Sequence, residues 1–188
     1  MKRNLFSSIM LTILCLFFFA GIYPLAVWGI AQLAPNKGKG FTVTANGKTY
    51  YSNIGQKFTD DRYFYSRPSA VDYNAAGSGG SNKGPSNPDY LLMVQGRIDK
   101  FLAHNPGIAK SSIPADIVTA SGSGLDPDIS LEAAQVQIPR IARQRGLAEA
   151  SLKTLVARTK RPITGIAGAE KINVLALNLQ LDALTQGR

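Results

Sequence analysis

The sequence predicts an α+β fold, in which a single N-terminal transmembrane helix precedes one soluble α+β domain. Two observations lead to this prediction. Residues 5–34 form thirty consecutive positions without a charged side chain, and about twenty apolar residues are enough to span the hydrocarbon core of a bilayer. The residues that follow combine an Asn-Gly hairpin signal with several capped helical patterns, and they contain neither internal repeats nor heptads.

The uncharged run is predicted to be an uncleaved anchor. The alternative is a cleaved secretory signal, for which Lys2 and Arg3 would supply the basic start. The apolar part of such a signal is usually about 7–15 residues long, and this run is about twice that length. Residues 31–34 offer no small-x-small cleavage site at the right distance. Cys15 follows the bulky Leu14, which does not suit a lipoprotein signal.

The short basic tail predicts on which side of the membrane the domain lies. Lys2 and Arg3 favour a cytoplasmic N-terminus by the positive-inside tendency, although two lysines shortly after the span weaken the bias. We therefore expect a cytoplasmic tail at residues 1–4, the anchor at residues 5–34 and an extracytoplasmic α+β domain at residues 35–188.

The composition of the outer segment limits its chemistry. It has no cysteine and a single histidine, His104, so neither a disulfide framework nor a Cys- or His-rich metal site is expected. Nineteen Lys and Arg stand against twelve Asp and Glu, a balance that suits anionic lipid, nucleic acid or an acidic partner. Outside the cytoplasm, and without an interleaved aromatic and basic stripe, nucleic acid is not expected. We favour a solvated basic surface near phospholipid headgroups.

The elements of the domain are predicted from helix caps, turn residues and apolar spacing. The element at residues 173–184 could also be a strand, because apolar and polar residues alternate there, but the spacing of its apolar residues favours a helix. In chain order they are a hairpin at residues 41–51 around Asn46-Gly47, a linker-like Gly/Ser/Asn stretch at 73–88, a helix at 88–103 capped by Asn87, a short buried strand at 116–119, a helix that begins after Ser130, breaks near Pro139 and ends at Gly146, a helix at 148–158, a loop at 161–168, and a helix at 173–184 capped by Asn173.

No catalytic motif in the domain is complete. The glycine-rich stretch lacks the lysine of a phosphate-binding loop. Ser121 and Ser123 sit in a Ser-Gly repeat, but GxSxG is absent, and His104 is the only histidine that could act as a base. Asp126 and Asp128 could form a carboxylate pair or bind calcium, yet the glycine and the distal glutamate of a calcium loop are missing. We expect structural roles for these residues.

Three functional classes remain open on these grounds. The favoured one is a membrane-anchored, non-catalytic interaction module. The second is an anchored hydrolase that uses Ser121 or Ser123 as its nucleophile. The third is a module that binds anionic lipid or the cell wall.

Several segments, taken together and in order, resemble the C subunit of the high-affinity potassium-transporting Kdp ATPase. They are distributed over nearly the whole chain, and the single N-terminal span fits the same family. The segments are Tyr63-Phe64-Tyr65-Ser66-Arg67-Pro68-Ser69, Tyr73-Asn74, Ser78-Gly79-Gly80-Ser81-Asn82, Gly84-Pro85-Ser86-Asn87-Pro88, Val118-Thr119-Ala120-Ser121-Gly122-Ser123-Gly124-Leu125-Asp126-Pro127, Gln137-Ile138-Pro139-Arg140 with Ala142-Arg143, Arg145-Gly146-Leu147, and Asn173-Val174-Leu175 with Leu177-Asn178.

The resemblance implies a set of family-motif positions that could form a partner interface. It implies no catalytic residue and no metal ligand. The positions are Tyr65, Ser66, Arg67, Pro68, Asn74, Gly79, Gly80, Ser81, Asn82, Ser121, Gly122, Gly124, Asp126, Pro127 and Arg140.

The resemblance also implies partners and a place in the cell. The Kdp pump lies in the inner membrane and combines a channel-like potassium-binding subunit, a P-type ATPase subunit, a small single-span subunit and the C subunit. The chain contains no DKTGT-type phosphorylation sequence, so the resemblance implies an accessory subunit that does not hydrolyse ATP. The C subunit of the family is described as a catalytic chaperone that raises the ATP affinity of the ATPase subunit and holds the complex together.

ATP and the expected topology are in conflict. ATP is cytoplasmic, whereas residues 35–188 are expected outside the cell. A direct nucleotide contact would need the opposite orientation, so any effect on ATP affinity would have to be allosteric. We expect the outer domain to dock over the extracellular mouth of the channel-like subunit, with Gly- and Asn-rich loops that let main-chain groups approach a partner closely.

Overall fold

The structure, a computed structural model, describes residues 2–45, 47–163 and 170–186. The chain divides into two compact units, Met1–Thr44 and Ala45–Arg188.

The first unit contains the apolar anchor. Helix α1 (Lys2–Phe17) leads through a π-helical turn (Phe18–Ile22) into α2 (Tyr23–Ala31). The stretch Asn4–Ala31 is the one helix in the described chain that is long and apolar enough to cross a membrane. At 1.5 Å per residue its 28 residues extend about 42 Å, which exceeds the roughly 30 Å hydrocarbon core.

A π-helical turn interrupts the span just before Pro24. Proline has no N–H to donate, and its ring clashes with the carbonyl group four residues earlier, at Ala20. The wider turn Phe18–Ile22 lies at that point and relieves the crowding. The helix then ends at Ala31, three residues before the end of the uncharged run.

The predicted hairpin is confirmed. Strands β1 (Thr42–Ala45) and β2 (Lys48–Tyr51) form a two-stranded sheet. Gly47 has φ +73, as the Asn-Gly signal requires, while Asn46 lies outside the described residues.

A second, three-stranded sheet was not predicted. Strand β5 (Glu170–Asn173) lies between β3 (Asp128–Ser130) and β4 (Arg161–Pro162), and both pairings are antiparallel. Ile129 pairs with Ile172, and both side chains are buried. Arg161 and Pro162, which were expected to begin a loop, therefore form a short edge strand, and residues 164–169 of that expected loop lie outside the described chain.

The buried strand predicted at residues 116–119 is wrong. The segment Ala115–Ile117 is a 3-10 turn that follows Pro114. The carbonyl oxygen of Ala115 accepts hydrogen bonds from the Val118 and Thr119 amides and from the Thr119 hydroxyl. Ile117 and Val118 are buried, so the apolar pattern correctly indicated burial but did not indicate the backbone conformation.

The helices follow their predicted caps. The side chains of Asn87, Ser130 and Asn173 accept hydrogen bonds from the amides of Tyr90, Ala133 and Ala176. The expected break near Pro139 separates the helix Leu131–Gln135 from the helix Ile138–Arg145, and Gly146 ends the second of these in the left-handed conformation with φ +63. The helices are α3 (Pro88–His104), α4 (Leu131–Gln135), α5 (Ile138–Arg145), α6 (Glu149–Thr159) and α7 (Val174–Gln186).

One hydrophobic core stabilises the second unit. It joins α5, α6, α7 and β5 to the aromatic segment at residues 63–65 and to one face of α3. Its fully enclosed side chains are those of Phe64, Ala133, Ala134, Ile141, Leu152, Ile172, Leu177 and Leu181.

Candidate functional site

The glycine-rich stretch at residues 73–88 was expected to resemble a flexible linker, but part of it is tied to the loop that follows residue 119. The Gly79 amide donates to the carbonyl oxygen of Ser123 at 2.9 Å, and the Ser78 hydroxyl donates to the same oxygen at 3.1 Å. The Ser69 hydroxyl donates to the carbonyl oxygen of Gly124 at 2.6 Å. We call this contact between residues 67–82 and residues 121–126 the loop junction.

Glycines are required at the loop junction because two main chains nearly touch there. Gly124 has φ +65, and a Cβ atom on it would lie 2.6 Å from the carbonyl oxygen of Gly79. A Cβ atom on Gly80 would lie 3.2 Å from the carbonyl oxygen of Gly122. Cβ atoms in folded proteins essentially never come within 3.0 Å of a non-bonded atom, so the close approach at Gly124 requires glycine, whereas a Cβ atom on Gly80 would need its neighbour to shift by a few tenths of an ångström.

An ion pair closes one side of the loop junction. Arg67 donates through Nη1 to Oδ2 of Asp126 at 2.8 Å, and the other carboxylate oxygen accepts from the Asp128 amide. Asp128 itself pairs with Lys171 at 2.6 Å. The two carboxylates thus neutralise different cations. No three His, Cys, Asp or Glu side chains in the described chain lie close enough together to hold a metal ion.

The serines of the loop junction stabilise their own loop. The Ser121 hydroxyl accepts from the Gly124 amide at 3.0 Å, and the Ser123 hydroxyl accepts from the Leu125 amide at 3.1 Å. His104 pairs with Asp61 instead, at 2.8 Å. No hydrogen bond within the described residues joins His104 to either serine, so His104 is not placed as the general base of a serine nucleophile.

A second polar cluster surrounds Arg140, which is only 1% exposed. Its Nη2 donates to Oε1 of Gln137 at 2.7 Å and to the carbonyl oxygen of Tyr63 at 3.0 Å. Its guanidinium carbon lies 3.8 Å from the centre of the Tyr65 ring, a cation–π contact. Nη1 approaches Oδ1 of Asp61 at 3.3 Å. We call Asp61, Tyr63, Tyr65, Gln137 and Arg140 the arginine cluster.

Two buried amide side chains fix the backbone beside the arginine cluster. Asn178 accepts from the Phe64 amide and donates to the Phe64 carbonyl oxygen, both at 2.9 Å. Gln137 accepts from the Tyr65 amide at 2.7 Å. The two side chains thus act as a neighbouring strand would, because they satisfy backbone groups that cannot reach water.

The titrating groups of the arginine cluster influence each other. Burial lowers the pKa of Arg140 against the attraction of its anionic neighbours. Burial alone would raise the pKa of Asp61, but hydrogen bonds from Tyr65 and His104 outweigh it, and the net shift is downward. Burial, followed by the hydrogen bond to Asp61, raises the pKa of Tyr65 to about 12. Asp61 is therefore held as an anion and Tyr65 as a neutral phenol.

The predicted motif positions do not form a single site. Tyr65 and Arg140 belong to the arginine cluster. Seven others meet at the loop junction, namely Arg67, Gly79, Gly80, Ser121, Gly122, Gly124 and Asp126.

The remaining motif positions have local roles. Ser66 is buried and donates to the carbonyl oxygen of Gln56, and the Pro127 carbonyl oxygen accepts from the Val174 amide. Exposed Asn74 accepts from the Ala76 amide. Ser81 and Asn82 continue the glycine-rich loop, Asn82 with φ +53, and half-buried Pro68 lines a small groove beside α3.

Comparison with known proteins identifies the family. The family model described as "K+-transporting ATPase, c chain" matches residues 5–183, which include the anchor, the loop junction and the arginine cluster. The chain belongs to the KdpC family. The resemblance drawn from the ordered motifs is therefore confirmed.

KdpC relatives match this chain over almost its full length. A potassium-transporting ATPase KdpC subunit of Flavobacterium johnsoniae is 58% identical over 183 residues, which cover 97% of this chain and 99% of the relative. The KdpC subunit of Geobacter sulfurreducens is 51% identical over 191 residues, covering 98% and 97%. That of Bacteroides fragilis is 46% identical over 187 residues, covering 97% and 98%.

Several residues of the loop junction and the arginine cluster could not be recognised as site residues from the sequence. Asp61, which accepts from three different side chains, carries no local signal. Ser69 ends a family-resembling segment, but nothing in the sequence indicated that it connects two loops. Gly55 is a similar case, because a Cβ atom on it would lie 2.7 Å from the Asp126 carbonyl oxygen. Such pairings across the chain would be found only by comparing many KdpC sequences for positions that vary together.

Proposed function

We propose that the chain is a non-hydrolytic accessory subunit of an ATP-driven potassium import complex, where it assembles and stabilises the channel-like and P-type ATPase subunits. The observation that supports this role best is the loop junction. Two glycine-rich loops are fixed to each other by main-chain contacts and leave Asn74, Ser78 and Asn82 exposed. A loop ordered before it meets a partner loses little entropy on binding.

The proposal includes a topology and a set of partners. Residues 1–4 lie in the cytoplasm, residues 5–34 cross the inner membrane once, and residues 35–188 form the domain outside. The anchor contacts membrane lipid and the spans of the channel-like, P-type and small single-span subunits. Large apolar side chains cover the anchor helix, and those of Leu25 and Ile30 are more than two-thirds exposed within the chain, as expected where neighbouring spans or lipid surround a helix.

In this topology the chain influences ATP binding without touching ATP. A domain outside the membrane raises the ATP affinity of the ATPase subunit only if it binds the ATP-competent conformation of the pump more tightly than the other conformations. The coupling is then reciprocal, so ATP should also strengthen the attachment of this chain to the complex.

The hydrolase alternative has no geometric support, because both candidate hydroxyls serve as acceptors for amides of their own loop. It still makes a clear prediction. A serine-directed phosphonate would label the full chain, and Ser121→Ala or Ser123→Ala would abolish the labelling. No labelling is expected.

Cysteine labelling tests the topology. In a Cys15→Ser background, Ala75→Cys places a thiol on the exposed glycine-rich loop, and Asn4→Cys places one at the other end of the span. We expect a membrane-impermeant maleimide to label Ala75→Cys in intact spheroplasts and Asn4→Cys only after permeabilisation. The reverse pattern would overturn the proposed topology and make direct contact with ATP feasible.

Deletion of the chain tests the assembly role. With an affinity tag on the ATPase subunit, we expect the channel-like subunit to co-purify in detergent only when this chain is present. Full recovery of the other subunits in its absence would contradict the proposed role.

A further inference from the structure

A basic groove runs along one side of α3. Arg97, Lys100 and His104 follow one another at helical spacing and line a cavity of about 210 Å³. The opposite wall comes from the segment that contains Tyr65 and Pro68. We call this cavity the α3 groove.

Two positive charges of the α3 groove have no carboxylate partner within the described chain. Within the described chain, the Arg97 side chain donates a hydrogen bond to a main-chain group, the carbonyl oxygen of Val118, at 3.2 Å. Lys100 forms neither an ion pair nor a hydrogen bond with any described residue. Asp61, the acid of the arginine cluster, already pairs with His104 and Arg140. The α3 groove therefore offers uncompensated positive charge to a ligand.

The size and the walls of the α3 groove restrict what it can accept. Pockets for drug-sized ligands usually measure about 300–1,000 Å³, so a cavity of about 210 Å³ suits one acidic group better than a nucleotide. Phe101 and Ile117 form apolar walls and are each 5% exposed. Such walls lower the local dielectric and strengthen the attraction between the cations and an anion.

The exposed surface beside the α3 groove favours a polypeptide ligand. Met93, one turn before Arg97 on the same side of α3, is 40% exposed, and it could contact an apolar neighbour of the acidic residue. Methionine and arginine are enriched at protein interfaces. We propose that the α3 groove binds the carboxylate of an aspartate or glutamate side chain from a partner subunit. This inference rests on the proposed assembly role.

Charge reversal in the intact complex tests the inference. Lys100→Glu should leave the fold unchanged, because Lys100 is exposed and makes no hydrogen bond within the described chain. It should lower the fraction of this chain that remains with the tagged ATPase subunit by about tenfold during a wash at moderate salt. Arg143→Glu on α5 is the matched control, because Arg143 is also exposed on a helix without an ion pair in the described chain, and it should behave like the unaltered protein.

The two proposals fail in different ways. If the complex remains intact after deletion of the chain, the assembly role is wrong. If deletion disrupts the complex but Lys100→Glu is retained as well as Arg143→Glu, the inference about the α3 groove is wrong. If Lys100→Glu reduces co-purified anionic phospholipid and leaves the subunits in place, the ligand is a lipid headgroup, and the inference is again overturned.

A zero-length crosslink provides a second, independent measurement. A water-soluble carbodiimide activates a carboxylate, and the Lys100 amine then forms an amide bond with it, while the carbodiimide leaves as a urea. We expect mass spectrometry of the treated complex to find Lys100 joined to an acidic residue of another subunit. Lys100→Arg should remove this crosslink and retain assembly, because it preserves the charge. An intact complex with no crosslink from Lys100 to another subunit would contradict the proposal.

Discussion

The carbonyl oxygen of Gly79 lies 2.6 Å from the position that a Cβ atom on Gly124 would occupy. The two residues are far apart in the chain, yet the Gly79 amide is also hydrogen-bonded to Ser123, the neighbour of Gly124. The loop junction therefore depends on contact between two main chains, and any side chain at Gly124 must separate them.

Replacement of Gly124 should open the loop junction. We expect Gly124→Ala to lower the free energy of unfolding by about 2–4 kcal/mol, because it combines a positive φ with a collision against backbone. Gly146→Ala is the control, since Gly146 has a similar φ of +63 but open space around its Cβ position, and it should cost about 1–2 kcal/mol. Thermal unfolding of the full chain in detergent, followed by circular dichroism, measures both. Equal losses would show that the close approach contributes nothing.

Arg140 should be far more important for stability than its exposed neighbour Arg143. We expect Arg140→Ala to cost about 3–5 kcal/mol, because the change removes the donor to Gln137 and Tyr63 and leaves a cavity beside the Tyr65 ring. Arg140→Lys should recover only part of this loss, since an ammonium cannot reproduce the planar fork. Arg143→Ala should stay within about 0.5 kcal/mol of the unaltered protein. Unfolding midpoints provide the comparison, and similar effects of the two alanine variants would refute it.

Structural features that depend on neighbouring residues could be predicted from the sequence. Asn87, Ser130 and Gly146 each cap a helix through bonds within four residues, so their signals are complete in the local sequence. Strands β3 and β5 pair across more than forty residues and are only three and four residues long. Segments this short have no clear period, and the sheet could not be found from the sequence alone.

Only part of the candidate site could be predicted from the sequence. The ordered motifs identified the family and most residues of the loop junction. They did not show that Arg140 is buried, because arginine is rarely enclosed without a partner, and its partners Asp61 and Tyr63 lie more than seventy residues away. The Gly/Ser/Asn composition predicted a linker, whereas contact with a distant loop gives the stretch a fixed structure at Gly79.

Alkaline pH should destabilise the second unit through Tyr73. Burial, followed by the charge of Asp72, raises the pKa of Tyr73 to about 12 from its ordinary value of 10.0. A group whose pKa is raised on folding stabilises the protein fully below its unfolded pKa, and the stabilisation is lost as the pH rises from about 10 through 12. Tyr73→Phe should therefore reduce the loss of melting temperature over this pH range.

Tyr65, whose pKa is also raised to about 12, should account for part of the remaining alkaline loss. The exposed Tyr51 is the control, and Tyr51→Phe should leave the alkaline profile unchanged. If Tyr73→Phe loses as much stability between pH 10 and 12 as the unaltered chain, the burial of its phenol does not contribute to the pH dependence.

Acid should destabilise the arginine cluster through Asp61, whose pKa is lowered on folding. A carboxyl group of this kind stabilises the fold above its unfolded pKa, near its ordinary value of 3.8, and the stabilisation is lost as the pH falls below that value. Asp61→Asn should therefore lower the melting temperature at pH 7 and reduce the further loss of melting temperature between pH 4 and pH 2.

Asp60 complicates the measurement, because its hydrogen bonds from Arg62 lower its pKa to about 2. Asp60→Asn removes this contribution, so Asp61→Asn should be compared in an Asp60→Asn background, both at low salt and at 1 M salt. A difference between Asp61→Asn and the unaltered chain that disappears at 1 M salt would show that Asp61 acts as an ordinary surface charge.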